Sequence, residues 1–168
     1  IEEILEKLRK ARKPLVLAGP ALATSRGRAL LRRFEDTTRV PAIPMESPRG
    51  VNDPSLGLLA EVLAGADVVV LAGKRRDFTL KFGAAFAREC RVIEAEAEVE
   101  HWIAPAAGKA WSAGGWLDEV RSAIAFRPAQ WKGLASGPQG PLHPVELGRA
   151  VQKLLDAPRA VLIADGGE

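Results

Sequence analysis

One cysteine, Cys90, in 168 residues excludes an internal disulfide framework and a cysteine zinc site, and leaves a small hydrophobe between a helix and a strand. Histidine is nearly as scarce. His101 has Glu96, Glu98 and Glu100 close by, but the other histidine, His143, follows a stretch of breakers, so this is read as a charged loop and not a metal cluster. No apolar run approaches the roughly 18 residues needed to span a bilayer, and no basic segment leads into an apolar one at the start; no membrane partner is expected, and a reducing cytoplasm is the expected location. The basic excess is small, 24 Lys and Arg against 21 Asp and Glu for a net charge of +3. Its members, among them Arg9, Arg28, Arg32, Arg121 and Arg149, are spread over helical segments as solvated faces, so no nucleic-acid partner is expected. Nor does any Gly-x-Gly-x-x-Gly lie near Gly19, so the usual dinucleotide fingerprint is missing.

What the chain does have is concentrated at Asp67 to Gly83, DVVVLAGKRRDFTLKFG. Val68 to Leu71 is too continuously apolar for a strand with one wet face, so it reads as a parallel strand covered on both sides. It ends at Gly73 and gives way to Lys74, Arg75 and Arg76. The carboxyl ends of such strands are where ligands bind, and a glycine followed by cations suits a phosphate-bearing one.

Strand and helix alternate around this segment. A helix carries Ile1, Ile4, Leu5 and Leu8 on one face and closes near Pro14. Pro14 to Gly19 reads as a strand; Ser25 is the expected cap of a helix that turns Leu30, Leu31 and Phe34 inward and Arg32, Arg33 and Glu35 outward. Further strands are expected at Val40 to Pro44, Asp67 to Ala72, Arg91 to Glu96 and, more weakly, near Ile103 to Ala110. Helices are expected from about Gly57 to Leu63, at Phe78 to Glu89 with Phe78, Phe82 and Phe86 in the core, and after Ser112 with Trp116, Leu117, Val120 and Ile124 inward. The fold class is therefore α/β: a Rossmann-like, doubly wound, mostly parallel sheet of five to six strands with helices on both faces.

Residues 1–126 are expected to form that domain. Residues 127–142, with Pro128, Gly133, Gly137, Pro138, Gly140 and Pro141, read as a linker, and 143–168 as a helix striped by Leu147, Val151, Leu154 and Leu155 followed by a strand, AVLIADGG. The chain begins inside a helix and stops at a Gly-Gly turn, the pattern expected of a piece of a longer protein. Its last strand would then belong to the next domain, and left unpaired it would invite self-association or docking on its own sheet.

Four segments, KPLVLAGPAL (13–22), VPAIPMESPRGVNDPSLG (40–57), ADVVVLAGKRRDFTLKFG (66–83) and PLHPVELGRAVQKLL with the strand after it (141–167), carry a resemblance. The third is the most specific, being similar to a Gly-x-Arg-x-Asp/Asn-aromatic segment. Together they resemble the central domain of thiamine diphosphate-dependent enzymes of the acetolactate synthase, oxalyl-CoA decarboxylase and 2-hydroxyacyl-CoA lyase type, and residues 143–168 resemble the opening of that family's diphosphate-binding domain.

The resemblance implies a middle domain with no catalytic residue and no metal ligand. Thiamine diphosphate and Mg2+ would be bound elsewhere in the parent, by a Gly-Asp-Gly motif and a downstream Asn of its third domain, with a glutamate of its first domain activating the thiazolium ring. Asp165-Gly166-Gly167 is not that motif. Family members hold FAD or ADP across the middle domain or leave it empty, so Gly19, Gly73, Arg75 and Glu96 become candidate cofactor-binding residues, with the family's Asp-x-Asp replaced by Glu96-Ala97-Glu98. Partners implied are the flanking domains of the parent and further copies, as a homodimer or homotetramer. Three readings stay open: a noncatalytic structural and oligomerisation domain with a vestigial nucleotide-type crevice, the same domain with a working FAD or ADP site, and a stand-alone nucleotide-binding module. From residues alone, Gly19 and Gly73 also fit simple turns, and Arg75 and Arg76 fit solvated or paired charges. The loop from Met45 to Gly57 is a further candidate, with Glu46, Arg49 and Asn52 as polar tips near a substrate entrance.

Overall fold

The structure, a computed structural model, describes residues 1–111, 114–155, 157 and 160–163. Ser112, the expected cap, and Asp165-Gly166-Gly167 lie outside the described residues. Two compact units divide the chain, Ile1–Phe126 and Arg127–Glu168.

In the first unit, α1 (Glu2–Lys10) has Glu2 and Glu3 in its first turn and Lys7, Arg9 and Lys10 in its last, the arrangement that complements the helix dipole. Its buried face is Leu5 and Leu8, which lie against the sheet. The backbone then enters β1 (Pro14–Ala18), every residue of which is buried. A 3-10 turn at Pro20–Leu22 precedes α2 (Ser25–Thr38). The cap of α2 is Thr24, one residue before the expected Ser25: the Thr24 hydroxyl oxygen accepts the Gly27 N–H at 3.1 Å. Thr24→Ala is expected to lower stability by about 1 kcal/mol, the usual worth of such a cap, measured by urea unfolding.

The remaining elements are β2 (Ala42–Pro44), α3 (Leu59–Gly65), β3 (Val68–Ala72), β4 (Arg91–Ala95), α4 (Glu100–Ala106) and α5 (Trp116–Ala125). The four strands pair in the order β2-β1-β3-β4, all parallel. Alternation along the strands splits the core in two. Val16, Ala18, Val70 and Ala72 pack with α1, α2 and α4, while Leu15, Leu17, Val69 and Leu71 pack with α3 and α5. Helices therefore cover both faces, which is why β1 and β3 carry no polar side chain. Phe34 of α2 and Trp102 of α4 meet edge to face, 5.9 Å between ring centres.

Three expectations are corrected here. Among the described residues the sheet has four strands, not five to six. The stretch expected as a fifth strand, Ile103 to Ala110, is largely taken by α4, because Val99, Trp102 and Ala106 fall three and four residues apart and all three are buried on the α2 side. The helix expected over Phe78 to Glu89 is also absent. In its place a 3-10 segment spans Phe78–Gly83 and is broken by left-handed backbone at Lys81 (φ 50) and Phe82 (φ 52), which throws Phe78 and Phe82 out of the core and leaves only Phe86 partly buried. Third, Glu35, expected in water, is half-buried; its carboxylate accepts the Ala42 N–H at 2.8 Å and the Arg121 guanidinium at 3.2 Å, tying α2 to β2 and to α5.

The second unit holds a 3-10 turn at Ala129–Gly133 inside the stretch expected as a bare linker, and α6 (Pro144–Leu155). Arg149 of α6 donates to the carbonyl oxygens of Trp131, Lys132 and Leu134, which orders the breaker-rich stretch against the helix. Of the expected stripe, Leu147 and Leu154 are exposed and Val151 and Leu155 half-buried. Ala160–Ile163, the described part of the expected last strand, is unpaired and exposed. No helix among the described residues is long and apolar enough to cross a membrane.

Candidate functional site

Strand order reverses between β1 and β3, which lie side by side while β2 and β4 flank them on opposite sides. The carboxyl ends at such a reversal are the expected ligand crevice of an open parallel sheet. Three glycine or acidic positions stand there: Gly19 after β1, Gly73 after β3 and Glu96 just beyond β4.

Gly73, Lys74, Arg75, Glu94, Ala95 and Glu96 line a crevice of about 340 Å³. Gly73 has φ +63, and a Cβ on it would lie 2.6 Å from the Ala97 Cβ, so both conformation and space call for glycine. Gly19 does not line the crevice. A Cβ there would lie 2.0 Å from the Gly73 carbonyl oxygen, so its missing side chain lets the two loops touch. Both amides are engaged in extending the ladder: Gly19 N–H donates to the Ala72 carbonyl at 2.9 Å and Gly73 N–H to the Ala95 carbonyl at 2.7 Å.

The three cations after Gly73 have separate fates. Lys74 is buried, and its ammonium donates to both Asp77 carboxylate oxygens at 3.0 Å and to the Thr79 hydroxyl at 2.6 Å. Partial burial opposes ionisation of Asp77, but hydrogen bonds from Thr79 and Lys74 outweigh it and hold the carboxyl below the usual range. Arg76 lies along β4, its Nε 3.1 Å from Glu94 and a terminal nitrogen donating to the Val92 carbonyl at 3.3 Å. Arg75 and Glu96 are exposed and make no ion pair or hydrogen bond among the described residues.

The roles of Lys74, Asp77, Thr79 and Glu94 were not read from the sequence. Asp77-x-Thr79 carried a signal, since an aspartate two residues before a threonine commonly caps a turn, and the Thr79 N–H does donate to Asp77 at 3.0 Å. In the Met45 to Gly57 loop, Glu46 pairs with Arg28 while Arg49 and Asn52 are exposed. That loop is seated on the crevice side by Gly50 (φ +56), whose missing side chain makes room for Thr79. His101 lies 3.5 Å from Glu98, and no group of three His, Cys, Asp or Glu among the described residues can hold a metal ion. Cys90 is half-buried, and burial, reinforced by the charge of Asp67, pushes its thiol pKa up.

Sequence comparison gives the same neighbourhood of proteins as the four segments. Oxalyl-CoA decarboxylase of Escherichia coli is 28% identical over 145 residues, covering 79% of this chain and 26% of that enzyme. A 2-hydroxyacyl-CoA lyase of Oryza sativa is 35% identical over 88 residues, covering 49% of this chain and 15% of the lyase. The acetolactate synthase large subunit of Mycobacterium tuberculosis is 27% identical over 184 residues, covering 96% of this chain and 34% of the synthase. These curated relatives are all thiamine diphosphate-dependent enzymes. The chain spans between about a seventh and a third of the length of these thiamine diphosphate-dependent relatives. No family model matches it.

Proposed function

We propose that residues 1–126 are the central, noncatalytic domain of a thiamine diphosphate-dependent enzyme, with a structural and oligomerisation role and a vestigial nucleotide-type crevice. Residues 143–168 would open the enzyme's diphosphate-binding domain. The parent would make or break a carbon–carbon bond next to a carbonyl, with thiamine diphosphate and Mg2+ held by parts of the enzyme other than this one, in a cytoplasmic homodimer or homotetramer. When bound there, the cofactor supplies the carbanion-stabilising chemistry; the domain described here would fix the position of its neighbours.

The observation that carries this reading is how the crevice's phosphate-reading groups are used. A diphosphate needs free amides or cations. The amides of Gly19 and Gly73 are bonded to neighbouring strands, Lys74 is neutralised by Asp77, and Arg76 is engaged with Glu94, leaving Arg75 beside two glutamates. Pro20, where the turn after β1 begins, has no N–H, and Thr24 already caps α2. The residues present fit a nucleotide diphosphate poorly. The experiment is to denature the purified full-length enzyme and assay the supernatant for flavin absorbance and adenine nucleotide. Neither is expected.

A second reading, a working ADP or FAD site, draws on Arg75 and Glu96 having no partners among the described residues and on Gly73 opening the backbone toward the crevice. Stoichiometric nucleotide in that supernatant, lost in Arg75→Ala, would establish it and remove the first. The third reading, a stand-alone nucleotide-binding module, predicts an open reading frame without flanking domains.

A further inference from the structure

The loop after β2 and the turn after β3 leave the same rim of the sheet, but from strands that are not neighbours, since β1 lies between them. No ladder hydrogen bond joins them, yet they interlock. A Cβ on Gly50 would lie 2.1 Å from the Thr79 carbonyl oxygen and 2.5 Å from the Thr79 Cα, and the adjoining Val51 and Leu80 are buried in one apolar cluster. The turn is also strained. Lys81 (φ 50) and Phe82 (φ 52) are both left-handed, a conformation that residues other than glycine keep only where their surroundings impose it.

What imposes it is Asp77. Its carboxylate accepts the Thr79 N–H at 3.0 Å and the buried Lys74 ammonium at 3.0 Å, and Lys74 donates to the Thr79 hydroxyl as well. Its backbone carbonyl accepts the Leu80 and Phe82 amides at 3.1 and 2.9 Å. The side chain of Asp77 thus fixes Thr79, on which Gly50 rests, while its carbonyl fixes the left-handed pair. Lys74, the partner of that side chain, is also part of the crevice wall. We propose that Asp77 is a latch: through Thr79 it couples the crevice rim at Lys74 to the seating of the Met45–Gly57 loop, so that loop and turn loosen together. The coupling holds whether or not the crevice takes a nucleotide, and so goes beyond the scaffold reading above.

Native-state hydrogen exchange of the whole 168-residue chain, read amide by amide, tests it. Loop amides exchange through local opening, and strand amides through global unfolding. In Asp77→Ala the Asn52 and Asp53 amides, bonded to the Arg49 and Gly50 carbonyls in the native chain, are expected to exchange about tenfold faster, the worth of one charge-assisted hydrogen bond. Coupling is reciprocal, so Gly50→Ala, which presses on Thr79 from the loop side, should speed the Leu80 and Phe82 amides by a similar factor. If that variant does not fold, Asp53→Ala, which frees the Ser55 N–H from its 2.8 Å bond, should act on the same two amides in the same direction. Thr24→Ala is the reference. It lowers global stability from outside both segments, so strand amides such as that of Val16 should quicken and those of Asn52 and Asp53 should not. Unchanged Asn52 and Asp53 amides in Asp77→Ala would overturn the inference, as would unchanged Leu80 and Phe82 amides in the loop variant, or a Thr24→Ala effect on the loop as large as that of Asp77→Ala. Nucleotide release is a separate readout: adenine nucleotide in the denatured supernatant removes the scaffold reading and leaves the latch standing.

Discussion

Gly19→Ala is expected to destabilise the first unit by about 3 kcal/mol, a large fraction of the roughly 5–15 kcal/mol that holds a domain folded. Gly19 has φ −74 and ψ 176, extended backbone that any residue adopts, so the cost is entirely steric. The added methyl would lie 2.0 Å from a backbone oxygen, that of Gly73, and 2.7 Å from its carbon. No side-chain rotation relieves such a contact. Relief requires β1 and β3 to part at their carboxyl ends, where the Gly19 N–H bond to Ala72 is made. A glycine kept for a ligand would behave differently, giving a folded protein that loses only binding. Urea unfolding of the variant separates the two: a midpoint close to native would show that the two loops do not need this contact.

What could be read from residues follows from how local the deciding forces are. Val68 to Leu71 announced a strand with two dry faces because burial on both sides demands an unbroken apolar run, and Val16 with Leu17 repeats the logic in β1. Phe78, Phe82 and Phe86 failed as a guide because their spacing imitates a buried helix face. The Asp77-x-Thr79 cap and the buried Lys74 fix a 3-10 turn first, and the left-handed pair that follows turns the rings outward. Trp102 belonged to the opposite case. The weak strand was expected just after it, from Ile103, yet Val99 and Ala106 at helical spacing share its burial, and contact with Phe34 then stabilises α4.

At the crevice, position was legible and pairing was not. Gly73, Arg75 and Glu96 meet because each follows a parallel strand, and strand ends in a parallel sheet share one rim. Which cation remains free depends on contacts between residues distant in sequence and on register. Arg76 reaches Glu94 and Val92 only because β4 runs alongside β3, and Glu35 turns inward only because β2 offers it the Ala42 amide. Neither choice has a local pattern to announce it. The charge of the segment was therefore visible, but not that two of the three cations after Gly73, buried Lys74 and half-exposed Arg76, are paired within the chain.

The Lys74–Asp77–Thr79 cluster sets the second large expectation. Asp77→Ala would leave the Lys74 ammonium, whose side chain is 6% exposed, with only the Thr79 hydroxyl. Losing the partner of a fully buried charge costs about 3–5 kcal/mol, and the 40% exposure of the Asp77 side chain brings the expectation down to about 2 kcal/mol. Lys74→Met should cost less, because it removes the buried charge itself and leaves a carboxylate that water can reach. The order of the two variants is therefore diagnostic of which partner is buried. Acid gives an independent check. Asp77 has a folded pKa below its unfolded one, so its contribution is present above about pH 4 and is lost as pH falls through the lower folded value. The stability difference between native and Asp77→Ala should accordingly be constant near neutrality and shrink on acidification, as followed by urea midpoints across that range. A difference that grows with acid would mean that the carboxyl is protonated in the folded state and that Lys74 is held by something else.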